Sequence, residues 1–226
     1  MPPHDIPPAA PLIIDGVTIA LEEARLIDRL SLTVAAGEIV TLMGPSGCGK
    51  STLLAWICGT LGPAFRAQGR VALGDGDLTD APPEARHLGI LFQDDLLFPH
   101  LSVGGNIAFG IPPAVGGRKA RRAIVVAALE TADLGGFADR DPATLSGGQR
   151  ARVSLLRVLV SRPRALLLDE PFAKLDAALK DQFREVVFTR ARADGLPTLL
   201  VTHDPEDAAA AGGSVLSLWG RAWKPL

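Results

Sequence analysis

The sequence has few cysteines, no long apolar run and no excess of positive charge. Each of these absences excludes a class of protein. Its only cysteines, Cys48 and Cys58, are too few for a disulfide framework and are typical of a reducing compartment. No stretch approaches the roughly 18 apolar residues of a membrane-spanning helix, and no leader pattern opens the chain, so we expect neither a span nor a secretory signal. A formal charge of −2 and a pI near 6.1 give no polybasic signature, so we expect no nucleic acid as partner.

Aromatic residues are also scarce. Tyrosine is absent, aromatic residues make up 5% of the chain, and the tryptophans are Trp56, Trp219 and Trp223. Hydrophobic residues nevertheless reach 47% of 226 residues, which is enough to bury a substantial core within one domain.

A glycine-rich loop is the strongest positive signal. Residues 44–52 fit the P-loop spacing, after an apolar strand expected at 38–43 and before a helix expected at 51–58. Glycines allow backbone angles closed to other residues, so successive N–H groups can converge on phosphate oxygens. Lys50 would supply a positive charge for the β and γ phosphates of ATP, and Ser51 a hydroxyl for Mg²⁺. The predicted nucleotide-binding residues of this loop are Gly44, Pro45, Ser46, Gly47, Cys48, Gly49, Lys50, Ser51 and Thr52.

A second phosphate-binding element follows further along the chain. Ser146 can cap the next helix, while Gln149, three residues on, can reach back in a capping box. That helix is expected to include Ala151–Val160 and to stop before Pro163. A helix start with glycines at its tip can bind an anion, here a γ-phosphate, although an ordinary N-cap is the alternative interpretation. The predicted contacts are Ser146, Gly147, Gly148 and Gln149.

Two carboxylates follow a short apolar run at 165–168, which predicts a buried parallel strand. The carboxyl edge of such a sheet is where ligands bind. Asp169 is then placed to hold Mg²⁺ through water, and Glu170 to orient or deprotonate the attacking water.

A second apolar strand, expected at Leu199–Thr202, leads to His203. Asp204 and Pro205 then predict a new helix, with a cap and a proline at its first position. His203 is interpreted as a contact to the γ-phosphate, with a structural or solvated histidine as the alternative.

Six motifs in this order resemble those of the nucleotide-binding subunit of ATP-binding cassette (ABC) transporters, over nearly the whole chain. They are Walker A (Gly44–Thr52), the Q-loop (Gln93), the signature motif (Pro142–Arg150), Walker B (Leu166–Glu170), the D-loop (Leu175-Asp176) and the switch histidine (His203). The resemblance implies an α/β fold, with a P-loop NTPase (RecA-like) core, an antiparallel β layer and an inserted α-helical subdomain.

The same resemblance sets the expected domain organisation. The five prolines among residues 1–11 predict a disordered lead. The resemblance implies that residues 12–226 form a single ABC nucleotide-binding domain. The core lobe is expected at 12–93 and 161–226, and the helical subdomain at 94–160.

The resemblance also implies roles and partners. The catalytic residues would be Glu170, His203, Lys50 and Gln93, the Mg²⁺ ligands Ser51, Gln93 and Asp169, and Asp176 would adjoin the nucleotide. Two copies would pack head to tail around two ATP molecules and hydrolyse them. Integral membrane permease subunits and an extracytoplasmic solute-binding protein would complete the complex. The chain would lie peripherally, through the permease, at the cytoplasmic face of the inner membrane.

Bacterial importers are the branch that the sequence resembles best. Phe172 after Pro171 is typical of importer subunits, whereas exporter and mechanotransmission relatives more often have threonine there. The small thiamine-permease-like branch fits best. Two alternatives stay open: the ATPase of an export or mechanotransmission complex, and a soluble non-transport ABC ATPase. The solute cannot be inferred, because this subunit never touches it.

Two positions depart from the family pattern. An aromatic residue normally stacks on adenine ahead of Walker A, and that place falls at or near Leu21. Base stacking is worth about 1 to 3 kcal/mol, so we expect weaker ATP binding and looser base selectivity. The second departure is Ala173, where importers commonly have serine, and the sequence does not predict its effect on communication between the two sites.

The segment after Gln93 is implied to form a groove for a helix of the permease. Leu97 and Phe98 would be the contact, with local core as the alternative. The basic cluster at 118–122 is interpreted as a solvated helix face.

Overall fold

The computed structural model describes residues 10–92, 94–219 and 222–225. Most of the predicted lead, residues 1–9, and the predicted Q-loop residue Gln93 fall outside this part of the chain. No helix in the described part is both long enough and apolar enough to pass through a membrane.

Contacts divide the chain into two compact units. The first runs up to Leu88 and resumes at Arg164–Glu170 and Glu185–Leu226. The second holds Gly89–Pro163 and Pro171–Arg184. The lobe boundaries drawn from the sequence stay a prediction.

Strands and helices alternate along most of the chain. The strands are β1 Leu12–Leu21, β2 Ala24–Val34, β3 Ile39–Met43, β4 Phe65–Leu73, β5 Gly76–Asp77, β6 Leu88–Leu91, β7 Ala165–Asp169, β8 Thr198–Val201, β9 Val215–Trp219 and β10 Ala222–Pro225. The helices are α1 Lys50–Cys58, α2 Pro83–Arg86, α3 Val103–Gly110, α4 Arg118–Glu130, α5 Gly147–Val160, α6 Ala177–Ala193 and α7 Pro205–Ala211, with a short 3-10 helix at Pro142–Thr144. The predicted α/β class is confirmed.

The first sheet is the predicted antiparallel layer, with strand order β2-β1-β4-β5. The buried side chains along β1 are Leu12, Ile14, Val17 and Ile19. Near-alternate burial of this kind is what a strand with one face on a core requires. Gly16 has a φ of 60°, and the strand register shifts there. The extra residue of this bulge keeps Val17 on the buried face.

The second sheet carries the motifs, with strand order β10-β9-β3-β8-β7-β6. β3 pairs in parallel with β8 and β9, and β8 pairs in parallel with β7. Every residue of β7 and β8 is buried, as expected for apolar runs covered on both faces. The carboxyl ends of β3, β8 and β7 therefore lie side by side at the edge where α/β sheets bind ligands.

Helices α3, α4 and α5 pack together in the second unit. Buried Asn106 on α3 fastens the segment before that helix. Its side-chain oxygen accepts a hydrogen bond from the Phe98 N–H at 2.7 Å, and its side-chain amide donates to the Phe98 carbonyl at 3.1 Å. A buried amide satisfied in this way specifies one loop conformation.

The predicted solvated face at 118–122 is wrong for one of its members. Arg121 donates to the carbonyl oxygens of Ala108, at 2.6 Å, and Ile111, at 3.3 Å. It therefore caps the C-terminus of α3, where a positive charge is favourable. The other basic residues of the cluster are exposed, as predicted.

Candidate nucleotide-binding and hydrolysis site

The glycine-rich loop joins β3 to α1 as predicted. Gly47 and Gly49 have φ angles of 80° and 96°, in the left-handed region that favours glycine. Space restricts Gly49 as well, because a Cβ there would lie 3.3 Å from Cγ1 of Ile27. Helix α1 begins at Lys50, and its first turn leaves N–H groups without an intrahelical acceptor. The loop therefore provides an anion site at a helix N-terminus.

Lys50 is buried, and its ammonium group lies within this loop. Nζ donates to the carbonyl oxygens of Gly44, at 2.7 Å, and Pro45, at 2.9 Å. Hydrogen bonds are required here, because burial of a charge without compensation is costly. The cation is thus held in the loop where the sequence predicts the β and γ phosphates.

Arg86, which the sequence did not single out, fastens the far end of α1. It is 4% exposed and donates to the carbonyl oxygens of Trp56, at 3.1 Å, and Ile57, at 2.6 Å, in the last turn of the helix. It also donates to the carbonyls of Ala81 and Thr79. A positive charge at a helix C-terminus is stabilising. Nothing in its local sequence distinguishes Arg86 from a surface arginine.

The two cysteines have different surroundings. Cys48 in the loop is half-buried, with Nζ of Lys50 3.8 Å from its Sγ. Cys58 is buried in α1, and burial raises the pKa of its thiol to about 12, against the opposing charge of Arg86. Cys58 is therefore a neutral core residue at physiological pH.

Asp169 is the buried last residue of β7. Its pKa is raised overall, and burial is the largest cause. The negative charge of Glu170 also raises this pKa, whereas a hydrogen bond from the Ser51 hydroxyl and the positive charge of Lys50 lower it. Two predicted Mg²⁺ ligands from separate motifs, Ser51 and Asp169, thus lie close together. Hydroxyl and carboxylate oxygens are ligands that suit Mg²⁺. Within the described residues, no group of three or more His, Cys, Asp or Glu side chains could hold a metal ion.

Glu170 and His203 form a hydrogen-bonded pair that the sequence did not predict. Asp169 lies opposite Val201 in the parallel pairing of β7 and β8, and the Glu170 N–H donates to the Val201 carbonyl at 2.9 Å. The residues that follow both strands therefore meet, with Nδ1 of His203 2.8 Å from Oε1 of Glu170. Glu170 has a φ of 50°, a left-handed conformation that costs a non-glycine residue roughly 1 kcal/mol.

The neighbours of His203 hold its backbone in place. The Thr202 hydroxyl donates to Oδ2 of buried Asp207 at 2.8 Å and accepts from the Asp204 N–H at 3.0 Å. Asp204 caps α7 and Pro205 is its first residue, which confirms the predicted helix start. The His203 side chain is 72% exposed, so the ring is accessible to a ligand.

The predicted capping box at the start of α5 is confirmed. The Ser146 hydroxyl accepts from the Gln149 N–H at 3.3 Å, and Oε1 of Gln149 accepts from the Ser146 N–H at 2.9 Å. Helix α5 begins at Gly147. A Cβ on Gly148 would lie 3.4 Å from the carbonyl oxygen of Lys174. Both glycines therefore stand at the positive end of a helix, and Gly148 lies close to the backbone of Lys174, the residue directly before the D-loop.

Asp176 caps helix α6, and its predicted place beside the nucleotide stays a prediction. Its Oδ1 accepts from the Leu179 N–H at 3.1 Å, and its carbonyl accepts from the Lys180 N–H at 2.9 Å. The helix begins at the next residue, Ala177. The roles predicted for Gln93 stay a prediction, because this residue lies outside the described part of the chain.

Leu21, the predicted place of the missing adenine-stacking aromatic, ends β1 and is 37% exposed. The antiparallel pairing with β4 places Phe65 directly opposite it. Phe65 is itself half-buried. An aromatic side chain thus stands on the neighbouring strand, a juxtaposition that depends on sheet register.

Comparison with known proteins agrees with this geometry. The family described as ABC transporter matches residues 27–173. The uncharacterized ABC transporter ATP-binding protein YnjD of Escherichia coli (strain K12) is 48% identical over 217 residues, which are 95% of this chain and 99% of that protein. The chain therefore belongs to the ABC transporter family, as an ATP-binding subunit with ATPase activity.

Two further relatives are named for import. The thiamine import ATP-binding protein ThiQ of Cereibacter sphaeroides is 44% identical over 198 residues, 87% of this chain and 84% of that protein. The Fe(3+) ions import ATP-binding protein FbpC 1 of Haemophilus influenzae is 40% identical over 205 residues, 91% of this chain and 62% of that protein. The chain thus spans most of the first relative and somewhat less than two thirds of the second.

Solved structures of an ABC cassette share the fold. A dimeric, post-hydrolysis state of the ATP-binding cassette MJ0796 bound to ADP and Pi matches with a TM-score of 0.81 and 28% identity, over 92% of this chain and 94% of that chain. Another dimeric structure of the same cassette matches with a TM-score of 0.79 and 29% identity, over the same shares. The predicted P-loop NTPase fold is confirmed.

Proposed function

We propose that the chain is the ATP-hydrolysing subunit of an import complex, dimerises around two ATP molecules and drives a solute through a separate membrane permease. The Glu170–His203 pair carries the proposal, because it joins a carboxylate and an accessible histidine at the carboxyl edge of β7 and β8. The loop holding Lys50 follows β3, the other neighbour of β8. The relatives named for thiamine and iron import favour the direction of transport.

Glu170 is the general base in this proposal. Its carboxylate takes a proton from the water that attacks the γ-phosphorus, and the hydrogen bond from His203 keeps the carboxylate oriented. The exposed edge of the His203 ring contacts the γ-phosphate. Lys50 neutralises charge on the β and γ phosphates as the bond to ADP breaks.

Ser51 and Asp169 are proposed to hold Mg²⁺, with Gln93 as a further ligand. The ion would supply charge neutralisation at the phosphate oxygens. Asp169 must be ionised for this role, and burial raises its pKa, so protons compete with the metal for this carboxylate.

A head-to-tail dimer is proposed because the chain carries one copy of each motif. The capped N-terminus of α5 would meet the γ-phosphate of the ATP held by the other copy. The residues proposed to contact that nucleotide are Ser146, Gly147, Gly148, Gln149 and Asp176. The dimeric MJ0796 cassette with ADP and Pi supports the formation of a dimer. Closing on ATP and reopening after hydrolysis would move the attached permease.

The permease is proposed to dock on exposed apolar residues of the second unit. Leu96 is 57% exposed and Phe109 is 67% exposed. The Phe98 ring packs against Phe109 with centroids 4.6 Å apart. Leu97 and Phe98 are half-buried, so they would support this surface from beneath. The permease would hold the chain at the cytoplasmic face of the inner membrane, with a solute-binding protein on the other side.

Capture of the membrane partner tests the proposal. A tagged Glu170→Gln chain is incubated with Mg-ATP and detergent-solubilised native membranes, and copurifying proteins are identified by mass spectrometry. A multi-helix permease would support import. A few-helix protein with a large external domain would favour export or mechanotransmission, and no membrane partner would favour a soluble ATPase.

A matched pair of variants tests the docking surface. Phe109→Glu should lose the permease, because a charge buried in an apolar interface is costly. Val126→Glu on α4, which replaces a residue 42% exposed in the same unit, should retain it. Permease capture by Phe109→Glu at the parental level would refute the surface and leave the ATPase assignment intact.

A further inference from the structure

Lys174 lies in the turn between β7 and α6, between Glu170 and Asp176 in the chain. Its Nζ is 3.6 Å from a carboxylate oxygen of Asp94 and 3.6 Å from one of Asp95. Both aspartates directly follow the predicted Q-loop residue, and all three charged residues belong to the second unit. A charge contact thus ties the D-loop to the segment that continues the Q-loop.

Of the two aspartates, Asp95 makes the stronger charge contact with Lys174. Its side chain is 12% exposed, whereas that of Asp94 is 86% exposed. Water and salt screen an exposed pair, so the contact of Lys174 with Asp94 contributes little. Asp95 also lies 3.4 Å from Nε of Arg150. Both cations therefore stabilise the charge of this largely buried carboxylate.

Arg150 continues the connection to the signature turn. Its Nη1 donates at 2.7 Å to the carbonyl of Leu145, the residue before the cap Ser146. The D-loop backbone reaches the same turn, because the Lys174 carbonyl lies 3.4 Å from the Cβ position of Gly148. Both the main chain and the side chain of Lys174 therefore connect to the N-terminus of α5.

The main chain at Asp95 is held independently of Lys174. Arg157 on α5 donates to the carbonyl oxygens of Asp95, at 3.3 Å, and Leu96, at 2.9 Å. Loss of the Lys174 charge would therefore leave this segment attached to α5 and loosen only the D-loop.

We propose that Lys174 is a positioning residue. Through Asp95 and Arg150 it holds the D-loop at a fixed position relative to the signature turn. The inference rests on the proposed dimer, in which the signature turn of one copy contacts the nucleotide of the other. When that turn binds the nucleotide, the change in its position is transmitted through Lys174 to Glu170, four residues upstream in the same chain. Lys174 thereby couples the two hydrolysis sites.

Steady-state ATP hydrolysis by the full-length chain tests this coupling. Lys174→Met should lower kcat about two- to fivefold and reduce the Hill coefficient for ATP, because a partly screened ion pair is worth that much. KM and the melting temperature should change little, which a purely structural role would not predict. Lys174→Arg keeps the charge and should stay near the parental values. Lys119→Met, at an exposed lysine of α4, is the matched control and should match the parent.

A double-mutant cycle identifies the partner of Lys174. Lys174→Met added to Asp95→Asn should cause little further loss, because the interaction is already gone. A parental kcat and Hill coefficient in Lys174→Met would overturn the proposed coupling and leave the proposed dimer intact. Failure of Lys174→Arg to preserve both values would do the same. A Glu170→Gln chain that stays monomeric with Mg-ATP would overturn the proposed dimer, and the coupling with it.

Discussion

Replacement of Glu170 by glutamine separates the proposed base from every other feature of the site. In the parent, Oε1 of Glu170 lies 2.8 Å from Nδ1 of His203. Glutamine keeps the shape of the side chain and an oxygen that can accept this hydrogen bond, but it cannot take a proton from water. Loss of a positioned general base lowers the rate about 10²- to 10⁴-fold, which raises the barrier by about 3 to 5 kcal/mol. In the proposed mechanism ATP is bound by Lys50 and its loop, which this substitution leaves intact, so we expect the ATP-bound dimer to accumulate.

The assay is phosphate release at saturating ATP, with nucleotide affinity and molecular mass measured in parallel. His203→Ala should lose less, about tenfold, because a hydrogen bond to a charged group is worth about 1.5 to 3 kcal/mol and exposure of the ring weakens it. Glu84→Gln on α2, at an exposed carboxylate, is the control. Hydrolysis by Glu170→Gln at the parental rate would remove Glu170 from the role of base.

Three further predictions concern Asp169 in the site, Leu21 at the expected adenine position, and Arg86 at the far end of α1. Burial raises the pKa of Asp169, so its contribution to stability is present below the unfolded pKa and is lost as pH rises through the folded one. Asp169→Asn should therefore raise the melting temperature at neutral pH, by a margin that shrinks on acidification, while abolishing Mg²⁺-dependent hydrolysis; a lower melting temperature at neutral pH would contradict this. Leu21→Tyr should tighten ATP binding roughly five- to a hundredfold, because base stacking is worth about 1 to 3 kcal/mol; an unchanged Kd would indicate that another group, such as Phe65, contacts the base. Arg86→Met should lower the free energy of unfolding in urea by about 3 kcal/mol or more, because its carbonyl acceptors lose a charged donor. A loss no larger than that of exposed Arg122→Met would refute the anchoring role.

Several elements of the fold follow from short-range rules. The strand before the P-loop, the helix after it and the capping box at Ser146 lie where their local patterns predict. The first half of strand β4 is not predicted by any local pattern, because it is largely exposed and shows no apolar alternation. That half forms because it pairs with the end of β1, where Phe65 meets Leu21. Partner strands override local propensity in such cases.

The sequence by itself determined the phosphate loop, the capped signature helix and the strand-end carboxylates, because each depends on residue spacing within one segment. Tertiary structure alone decided which of these residues touch. Glu170 meets His203 because β7 pairs with β8 in a register that puts Asp169 opposite Val201. Lys174 meets Asp95 because the D-loop returns to the signature turn. Strand order and register arise from packing of the whole core, which no local pattern encodes.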